Sequence, residues 1–517
     1  KKDPAAAQYF RANTLYQRKL YEIAAKEYNA FLKANPNHEK APNARFGLSL
    51  SYLGMKKFDL AEPLLAKLAM NPKAPNREFV HLFWGQALLQ LRKNTEAEKA
   101  YTAGLKLPGQ EGNVQMKTGL LEAQFAQKKW GEVIASADVL GKLKGTGAPR
   151  ANFQGAIARY ELNQFAEAAK AFEELKPGLK GSPFEQQAHY LLAESHRELK
   201  DYAKAVAAYD MVARQLKGRF SAEALFRMGI VRFDHLKEFD KAAADFGEFR
   251  VNFKDDPRTI EAGVYLGRSH LENTKLPEAQ RFQVAENVFE GLATSPKATV
   301  DVPLWQARTF YRQRNEAKHN AAIAVLTPAI GKYANDAKLP DLLFELGKNQ
   351  YVLEKYADTS RTMGRLIKGH AGFRFLDDAM RLNADALHFD KKYAESRAVC
   401  DMYLAKYGKE PEAGNVAWLL GENHFLVEDY DKAIAAFEDF VGKHKGHLLE
   451  SSANFRIGNS YYNMKKWDEA MKVLEPLTAD AKVSAKFIQI HFLVGQCYFH
   501  MKALAKAVSH FDEFVSG

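Results

Sequence analysis

"KYGKEPEAGNVAWLLGENHFLVEDYDKAIAAFEDF" occupies residues 406–440, and an altered copy of it, "KHKGHLLESSANFRIGNSYYNMKKWDEAMKVLEPL", occurs 37 positions later over residues 443–477. A segment that recurs at a fixed period usually cannot bury its apolar face alone and packs against a copy of itself. The repeat therefore indicates a fold made by stacking similar units.

Three positions mark each copy: an aromatic residue, a small residue three places later, and an aromatic or aliphatic residue four places after that. Tyr430, Ala433 and Phe437 show the pattern in the quoted stretch. This spacing puts all three on one face of a helix, and the small middle residue lets a second helix approach. The middle residue recurs fourteen times at spacings of 35 to 43, most of them 37: Ala24, Ala61, Ala97, Val133, Ala168, Ala205, Ala242, Ala285, Ala322, Thr359, Ser396, Ala433, Ala470 and Ala507.

An earlier helix in each unit is marked by a Gly or Ala twelve or thirteen residues before the small residue. Because Gly inside a helix costs roughly 1 kcal/mol relative to Ala, its recurrence indicates a tight helix crossing. Breakers such as "FKDDPRT" (253–259) separate the units, and no strand pattern is sustained. Each unit is predicted to be a helical hairpin, with these markers: Gly85, Gly155, Ala193, Gly229, Gly347, Ala384, Gly421, Gly458 and Gly495.

With these residues in these positions, the chain resembles the tetratricopeptide repeat family over essentially its whole length. The resemblance implies an all-α, right-handed superhelical α-solenoid of about fourteen hairpins, running as one continuous domain over residues 1–517. "ANFRIGNSYYNMKKWDEAMKVL" (453–474) is most similar to the bacterial cell-envelope members, found in outer-membrane assembly lipoproteins and in the periplasmic partner of the Tol-Pal system. That similarity implies a periplasmic or envelope-associated protein, with a cytoplasmic location as the alternative.

Some units depart from the pattern. "NTKLPEAQRFQ" (273–283) is predicted to lengthen the inter-helix turn of repeat 8 by six residues, and repeats 4, 10 and 11 lack signature side chains. These units are interpreted as hinges, as partner-contact points or as sequence drift. Because the chain stops at Gly517 without a polar closing helix, we expect it to continue or to be covered there by another subunit.

Chemistry-bearing motifs are absent from the sequence. GxxxxGK[ST], HExxH and GxSxG do not occur, and His444 with His447 has no obvious third ligand. Cys400 and Cys497 have no partner at metal-ligand or CxxC spacing, so they are expected to be buried thiols. No apolar run approaches the roughly 18 residues of a membrane-spanning helix. The sequence thus predicts no catalytic, cofactor or metal site and no transmembrane segment.

Partner binding is predicted on the first helix of each hairpin, at the positions three before and one or four after the marker Gly. These positions point away from the paired helix, toward the inner surface of the stack. An aromatic strip with polar members is typical of peptide recognition, although packing between repeats explains any single aromatic residue as well. The candidates in the last three repeats are Trp418, Glu422, Phe425, Phe455, Asn459, Tyr462, Phe492, Gln496 and Phe499, and the basic candidates in the middle repeats are Arg159, Arg197, Arg268 and Lys348.

The expected partners are proteins that present acidic or helical segments, with no small-molecule substrate. The Lys/Asn clamp by which some tetratricopeptide repeats hold carboxylates is not matched, because Phe455 and Leu493 stand where its Lys and second Asn are expected. A net charge of +11 is compatible with a nucleic acid as the partner, but the Lys and Arg residues are interleaved with 63 acidic residues. The sequence favours a non-enzymatic scaffold, and a membrane-associated complex is one setting in which we expect it to act. The alternatives are a helical-repeat nucleic-acid-binding protein and a region of a larger enzyme.

Overall fold

The computed structural model describes residues 3–143, 147–216 and 218–516, and within these ranges it has twenty-nine α-helices, two π-helical segments and no strand. The predicted all-α solenoid of fourteen hairpins is confirmed for these residues. Contacts divide the chain into two compact units, Lys1–Asp256 and Pro257–Gly517, called unit 1 and unit 2 below. Each unit contains seven hairpins, and the prediction of one continuous domain stays a prediction.

Helices pair in chain order, and contacts join helices that are adjacent or nearly adjacent in the chain. The unit 1 helices are α1 Pro4–Gln17, α2 Tyr21–Ala34, α3 Ala41–Gly54, α4 Phe58–Ala69, α5 Arg77–Gln90, α6 Asn94–Leu105, α7 Val114–Ala126, α8 Trp130–Gly141, α9 Ala148–Glu161, α10 Phe165–Leu179, α11 Glu185–Glu198, α12 Tyr202–Asp210, α13 Ser221–Val231 and α14 Phe239–Asn252, with π-helical extensions Met211–Gln215 and Arg232–Leu236 after α12 and α13. The unit 2 helices are α15 Thr259–Glu272, α16 Glu278–Ala293, α17 Asp301–Tyr311, α18 Glu316–Lys332, α19 Leu339–Val352, α20 Tyr356–Gly369, α21 Leu376–Phe389, α22 Tyr393–Tyr407, α23 Ala413–Leu426, α24 Tyr430–Lys443, α25 Glu450–Asn463, α26 Trp467–Thr478, the short α27 Ala481–Lys486, α28 Gln489–His500 and α29 Leu504–Ser516.

The turn inside the hairpins is a recurrent backbone motif. In the α3–α4 hairpin, Lys56 has φ of 58°, and the N–H of Lys57 donates to the carbonyl of Tyr52 at 2.9 Å. This bond closes the first helix as in a Schellman motif, in which the left-handed position usually holds Gly. Thirteen hairpins place a non-Gly residue in this conformation two residues before their second helix: Lys19, Lys56, Arg92, Lys128, Asn163, Lys200, Lys237, Arg314, Glu354, Lys391, Glu428, Lys465 and Lys502.

The small residues predicted to anchor helix crossings form the centre of each hairpin. All fourteen are at most 2% exposed. The marker glycines lie against the side chain four residues after the anchor: a Cβ atom on Gly421 would be 2.6 Å from Cε1 of Phe437, and one on Gly229 would be 2.8 Å from Cζ of Phe246. The predicted tight crossing is therefore confirmed at these positions. Gly155 differs, because its nearest neighbour is Ala137 of the preceding hairpin.

The insertion in repeat 8 enters the structure differently from its prediction. The turn between α15 and α16 spans residues 273–277, compared with three residues in most hairpins, such as 55–57. The second helix begins at Glu278, seven residues before its anchor Ala285, whereas α24 begins three residues before Ala433. Most of the insertion therefore adds a helical turn to α16, because a helical turn satisfies its own backbone hydrogen bonds better than a longer loop would.

The two cysteines are both buried and free, as predicted. Among the described residues, none of the helices combines the length and apolar character needed to cross a membrane.

Candidate functional site

A cavity of about 860 Å³ lies in unit 2 along the first helices of three consecutive hairpins, α17, α19 and α21. Its volume falls within the roughly 300–1,000 Å³ typical of ligand pockets. We call this cavity the unit 2 groove. It is lined by Trp305, Arg308, Tyr311, Arg312, Phe344, Glu345, Lys348, Tyr351, Val352, Arg374, Phe375, Asp378, Arg381 and Leu382.

Helical spacing positions the lining of α19. Phe344, Lys348 and Tyr351 stand three before, one after and four after the marker Gly347, which are the offsets predicted to face the inner surface. Gly347 itself lies against Met363 of α20, so the hairpin is held closed on the opposite side. All three offset positions of this repeat line the unit 2 groove, and the sequence analysis had selected Lys348 alone among them.

A chain of ion pairs crosses the groove from one hairpin to the next. Glu345 of α19 accepts from Nε of Arg308 at 2.9 Å and pairs with Nζ of Lys348 at 2.7 Å. Oδ1 of Asp341 pairs with Nη2 of Arg308 at 3.3 Å and with Nη2 of Arg374 at 2.5 Å. Two buried carboxylates thus hold three cations, and because these come from α17, α19 and the loop before α21, the network fixes the cations relative to one another.

Aromatic rings pack against the same cations. Arg308 lies 4.9 Å from the ring centroid of Trp305, Lys348 lies 4.5 Å from that of Tyr311, and Arg374 lies 4.9 Å from that of Phe375. Each contact is within the roughly 6 Å over which a cation is attracted to a ring face. Each cation is consequently held between a carboxylate and a ring.

Arg268, predicted as a basic inner-face residue, joins this cluster from α15. Its guanidinium lies 4.4 Å from the Trp305 centroid and 4.7 Å from that of Tyr265. Arg268 and Lys348 therefore belong to one cluster, in which Trp305 and Arg308 lie between them. Trp305 and Arg308 were not predicted.

Burial shifts the ionisation of groups around the groove. It raises the pKa of Tyr311, with a further contribution from Glu345, and it raises the pKa of Tyr351 to about 12, with a contribution from Asp385. Both phenols keep their proton at neutral pH and can donate a hydrogen bond. Burial also raises the pKa of Asp385, opposed by the charge of Arg381.

The other two basic candidates lie in unit 1, where they form local ion pairs. Arg159 pairs with Asp138 at 2.8 Å. Arg197 pairs with the buried Glu194 at 2.9 Å and with Glu198 at 2.6 Å. Neither is among the residues that line the unit 2 groove.

Three of the C-terminal candidates, Glu422, Phe425 and Phe455, are engaged within the fold. Glu422 is 5% exposed, and both of its oxygens accept from the guanidinium of Arg456, which also lies 4.4 Å from the Phe425 centroid. Phe455 is 9% exposed and stacks on Phe487 at 5.1 Å. These residues stabilise the packing between repeats, which is the alternative that the sequence analysis left open.

The remaining C-terminal candidates differ in exposure. Phe492 and Phe499 are 38% and 53% exposed, so they offer ring surface to a partner. Their role in partner binding stays a prediction, as it does for the half-buried Trp418, Asn459, Tyr462 and Gln496.

Applied to other repeats, the sequence rule would have found part of the groove. The α19 offsets give its three residues directly, and Arg381 stands three before Ala384 of α21. Arg374 and Phe375 lie in the loop before α21, where helical spacing gives no signal. Within the described ranges, no group of three or more His, Cys, Asp or Glu residues could hold a metal ion.

Comparisons with known proteins agree with the fold. A family model described as Tetratricopeptide repeat matches residues 9–76 and 153–219, and a second model of the same description matches residues 452–478. No curated protein sequence matches the chain. The repeats matched by these models lie in both units, and repeats of this type suggest a protein-interaction scaffold.

Two solved structures show a distant similarity to this chain. "Structure of Naa15/Naa10 bound to HypK-THB" is 14% identical, with a TM-score of 0.38, and the match covers 99% of this chain and 80% of that chain. The crystal structure of the C-terminal part of a TPR repeat-containing protein from Cytophaga hutchinsonii is 15% identical, with a TM-score of 0.34, over 52% of this chain and 97% of that chain. Neither likeness carries an argument about function.

Proposed function

We propose, from the premise that this chain carries tetratricopeptide repeats in both of its units, that it is a scaffold which holds a segment of a partner protein in the unit 2 groove. The observation that carries the proposal is the groove itself. It combines aromatic rings with oriented charged groups on three consecutive first helices, and such a combination is typical of peptide-binding surfaces.

The groove supports binding because its side chains are already ordered. Arg308, Lys348 and Arg374 each contact both a carboxylate and a ring. A partner segment would therefore not have to immobilise these long side chains, which otherwise costs about 0.5–1.5 kcal/mol per side chain on binding.

We further propose that the scaffold is non-enzymatic. The buried carboxylates in and beside the groove, Glu345 and Asp341, are each paired with two cations, so their oxygens are engaged in ion pairs within the fold. Catalysis by a general acid or base needs a group whose pKa lies near the working pH and that can reach a substrate.

The proposed location is the bacterial cell envelope, as part of an envelope-associated assembly. This rests on the similarity of residues 453–474 to envelope proteins with these repeats, and a cytoplasmic location is the alternative. Fractionation of cells that carry the natural gene with an epitope tag tests the proposal, and recovery of the protein in the cytoplasmic fraction would reject it.

Site-specific photocrosslinking tests the binding proposal. Val352 lines the groove and is 46% exposed, so p-benzoylphenylalanine at this position faces a bound segment without replacing a packed residue. Met402 on α22 is 55% exposed and outside the groove lining, so it is the matched control in the same unit. Irradiation in extract of the source cells should give a crosslinked protein from position 352 and not from position 402.

Mass spectrometry of the crosslink then identifies the bound segment. A partner captured equally from both positions, or from position 402 alone, would place the interface elsewhere and reject the groove as the binding site. Crosslinking of nucleic acid from position 352 would favour the nucleic-acid-binding alternative.

A further inference from the structure

The charges of the unit 2 groove are unevenly divided between its surface and its floor. Five basic side chains line the groove, compared with two acidic ones, Glu345 and Asp378. Asp341, Glu272 and Asp385, which interact with lining cations from beside the groove, bring the acids to five, and Arg268 against Trp305 brings the bases to six, so the bases remain in excess.

Exposure increases this imbalance. The side chains of Arg374 and Arg312 are 60% and 44% exposed, whereas those of Glu345 and Asp341 are 4% and 12% exposed. The buried acids lie beneath the cations and orient them. Asp378 and Glu272 are also partly exposed, at 43% and 36%, so an incoming segment meets a modest excess of positive charge.

The inner surface of unit 1 shows that this charge is not a general property of the fold. A cavity of about 570 Å³ there is lined by Gln90, Gln154 and Gln187 among other residues. Two of its charged residues, Arg150 and Glu122, pair with each other at 3.1 Å. That cavity offers mainly amides, and its third charged residue, Arg92, leaves a surplus of one base, compared with three among the residues that line the unit 2 groove.

The rings of the unit 2 groove favour a peptide over nucleic acid. Trp305 already carries the guanidinium groups of Arg268 and Arg308, and Phe375 stacks on Phe344 at 5.8 Å with Arg374 also against it. Binding of single-stranded nucleic acid depends on free ring faces on which bases stack.

We infer that the unit 2 groove takes an acidic segment of a partner protein, in which Asp or Glu side chains pair with Lys348, Arg374 and Arg312 while intervening apolar or aromatic side chains contact the groove wall. This inference rests on the proposed function and names the chemistry of the partner. Carboxylates complement the exposed cations, and the bidentate guanidinium groups suit them in geometry.

Fluorescence anisotropy with a defined probe tests the inference. The probe is a fluorescein-labelled, end-blocked peptide rich in Glu with interspersed Tyr, compared with the same peptide carrying Gln or Lys in place of Glu. We expect the Glu probe to bind about tenfold or more tightly than the Gln probe, with affinity that falls as ionic strength rises. An oligothymidylate of similar length serves as a second probe and measures the affinity of the chain for single-stranded nucleic acid.

The structure offers variants that remove one cation and leave the buried acids paired. Lys348→Gln leaves Glu345 bound to Arg308, and Arg374→Gln leaves Asp341 bound to Arg308. Each is expected to weaken binding of the Glu probe about three- to tenfold, and Arg374→Lys, which keeps the charge but loses the bidentate geometry, should weaken it less than Arg374→Gln. Arg361→Gln is the control, because it removes an exposed cation from α20 that pairs with Asp358 outside the groove.

Each outcome separates this inference from the proposed function. The acidic preference would be overturned if the Glu and Gln probes bound equally well. It would also be overturned if the unsubstituted chain did not bind the Glu probe while the chain with p-benzoylphenylalanine at position 352 still formed its crosslink. Either result would leave the groove as the binding site. Tighter binding of the oligothymidylate than of the Glu probe would overturn both. Circular dichroism and thermal melting of each variant confirm that any lost binding is not lost folding.

Discussion

Replacing Gly421 by Ala tests whether the close crossing inside each hairpin determines stability. The new Cβ atom would lie 2.6 Å from Cε1 and 2.7 Å from Cδ1 of Phe437, which is fully buried. Phe437 packs in a cluster with Phe440, Ala453 and Ile457 and has no open direction in which to turn. The two helices therefore have to separate to admit the methyl group.

Two opposing terms set the magnitude. Ala is better than Gly in a helix interior by about 1 kcal/mol, whereas overpacking a core costs about 1–3 kcal/mol. The packing term wins because the overlap falls on ring atoms that are closely surrounded. We expect the Gly421→Ala change to lower the free energy of opening the α23–α24 hairpin by up to about 2 kcal/mol, the difference between the two terms.

Gly364→Ala is the matched control, because a Cβ atom at Gly364 in the middle of α20 would meet nothing within 4 Å. Only the helix-propensity term applies there, so this change should stabilise its hairpin by up to about 1 kcal/mol. Urea denaturation followed by circular dichroism, with hydrogen exchange and mass spectrometry to locate the opening, measures both effects. Shifts of the same sign for the two variants would refute the crossing argument.

Three further predictions concern the backbone, the histidines and the thiols. Lys465→Gly should raise the urea midpoint by an amount equivalent to about 0.5–1 kcal/mol, because Lys465 has φ of 61° and only Gly adopts this conformation without strain. An unchanged midpoint would contradict this prediction. Burial, followed by the charge of Arg77, lowers the pKa of His81, so the unfolded chain binds a proton at this residue more readily than the folded chain does. The free energy of unfolding should therefore fall as the pH drops below about 6.5. The His81→Gln variant should show a shallower fall than the parent between about pH 7.5 and 5.5, and equal slopes would count against this prediction. Burial raises the pKa of Cys400 to about 12 and that of Cys497 to about 11, so a thiol reagent near pH 8 should label both only in urea, and rapid labelling of the native chain would show that they are accessible.

The hairpins were predictable from the sequence because local spacing determines them. Residues three, four and seven apart on a helix share a face whatever the rest of the molecule does, so the anchors from Ala24 to Ala507 could be identified as buried without a structure. The crossing at Gly421 followed from the same spacing, since the anchor Ala433 and the ring of Phe437 lie on the facing helix.

The binding surface was less predictable because it depends on pairs of residues from different repeats. Glu422 does sit at an inner-face offset, but Arg456, from the next repeat, covers it. The groove likewise depends on Arg308 meeting Glu345 across a separation of 37 residues and on Arg374 in a loop. Helical spacing predicts the direction of a side chain, and it does not predict which charge from a neighbouring hairpin neutralises it.

Contacts between helices that are near neighbours in the chain have a consequence for synthesis. Within unit 1 the contacts join helices such as α1 with α2 and α2 with α3, so each new hairpin finds its packing partner in a segment that has just been made. Short loop closures of this kind are associated with fast folding, and chains emerge from the ribosome at only about 5–20 residues per second. Hairpins of unit 1 can therefore fold one after another while unit 2 is still being translated.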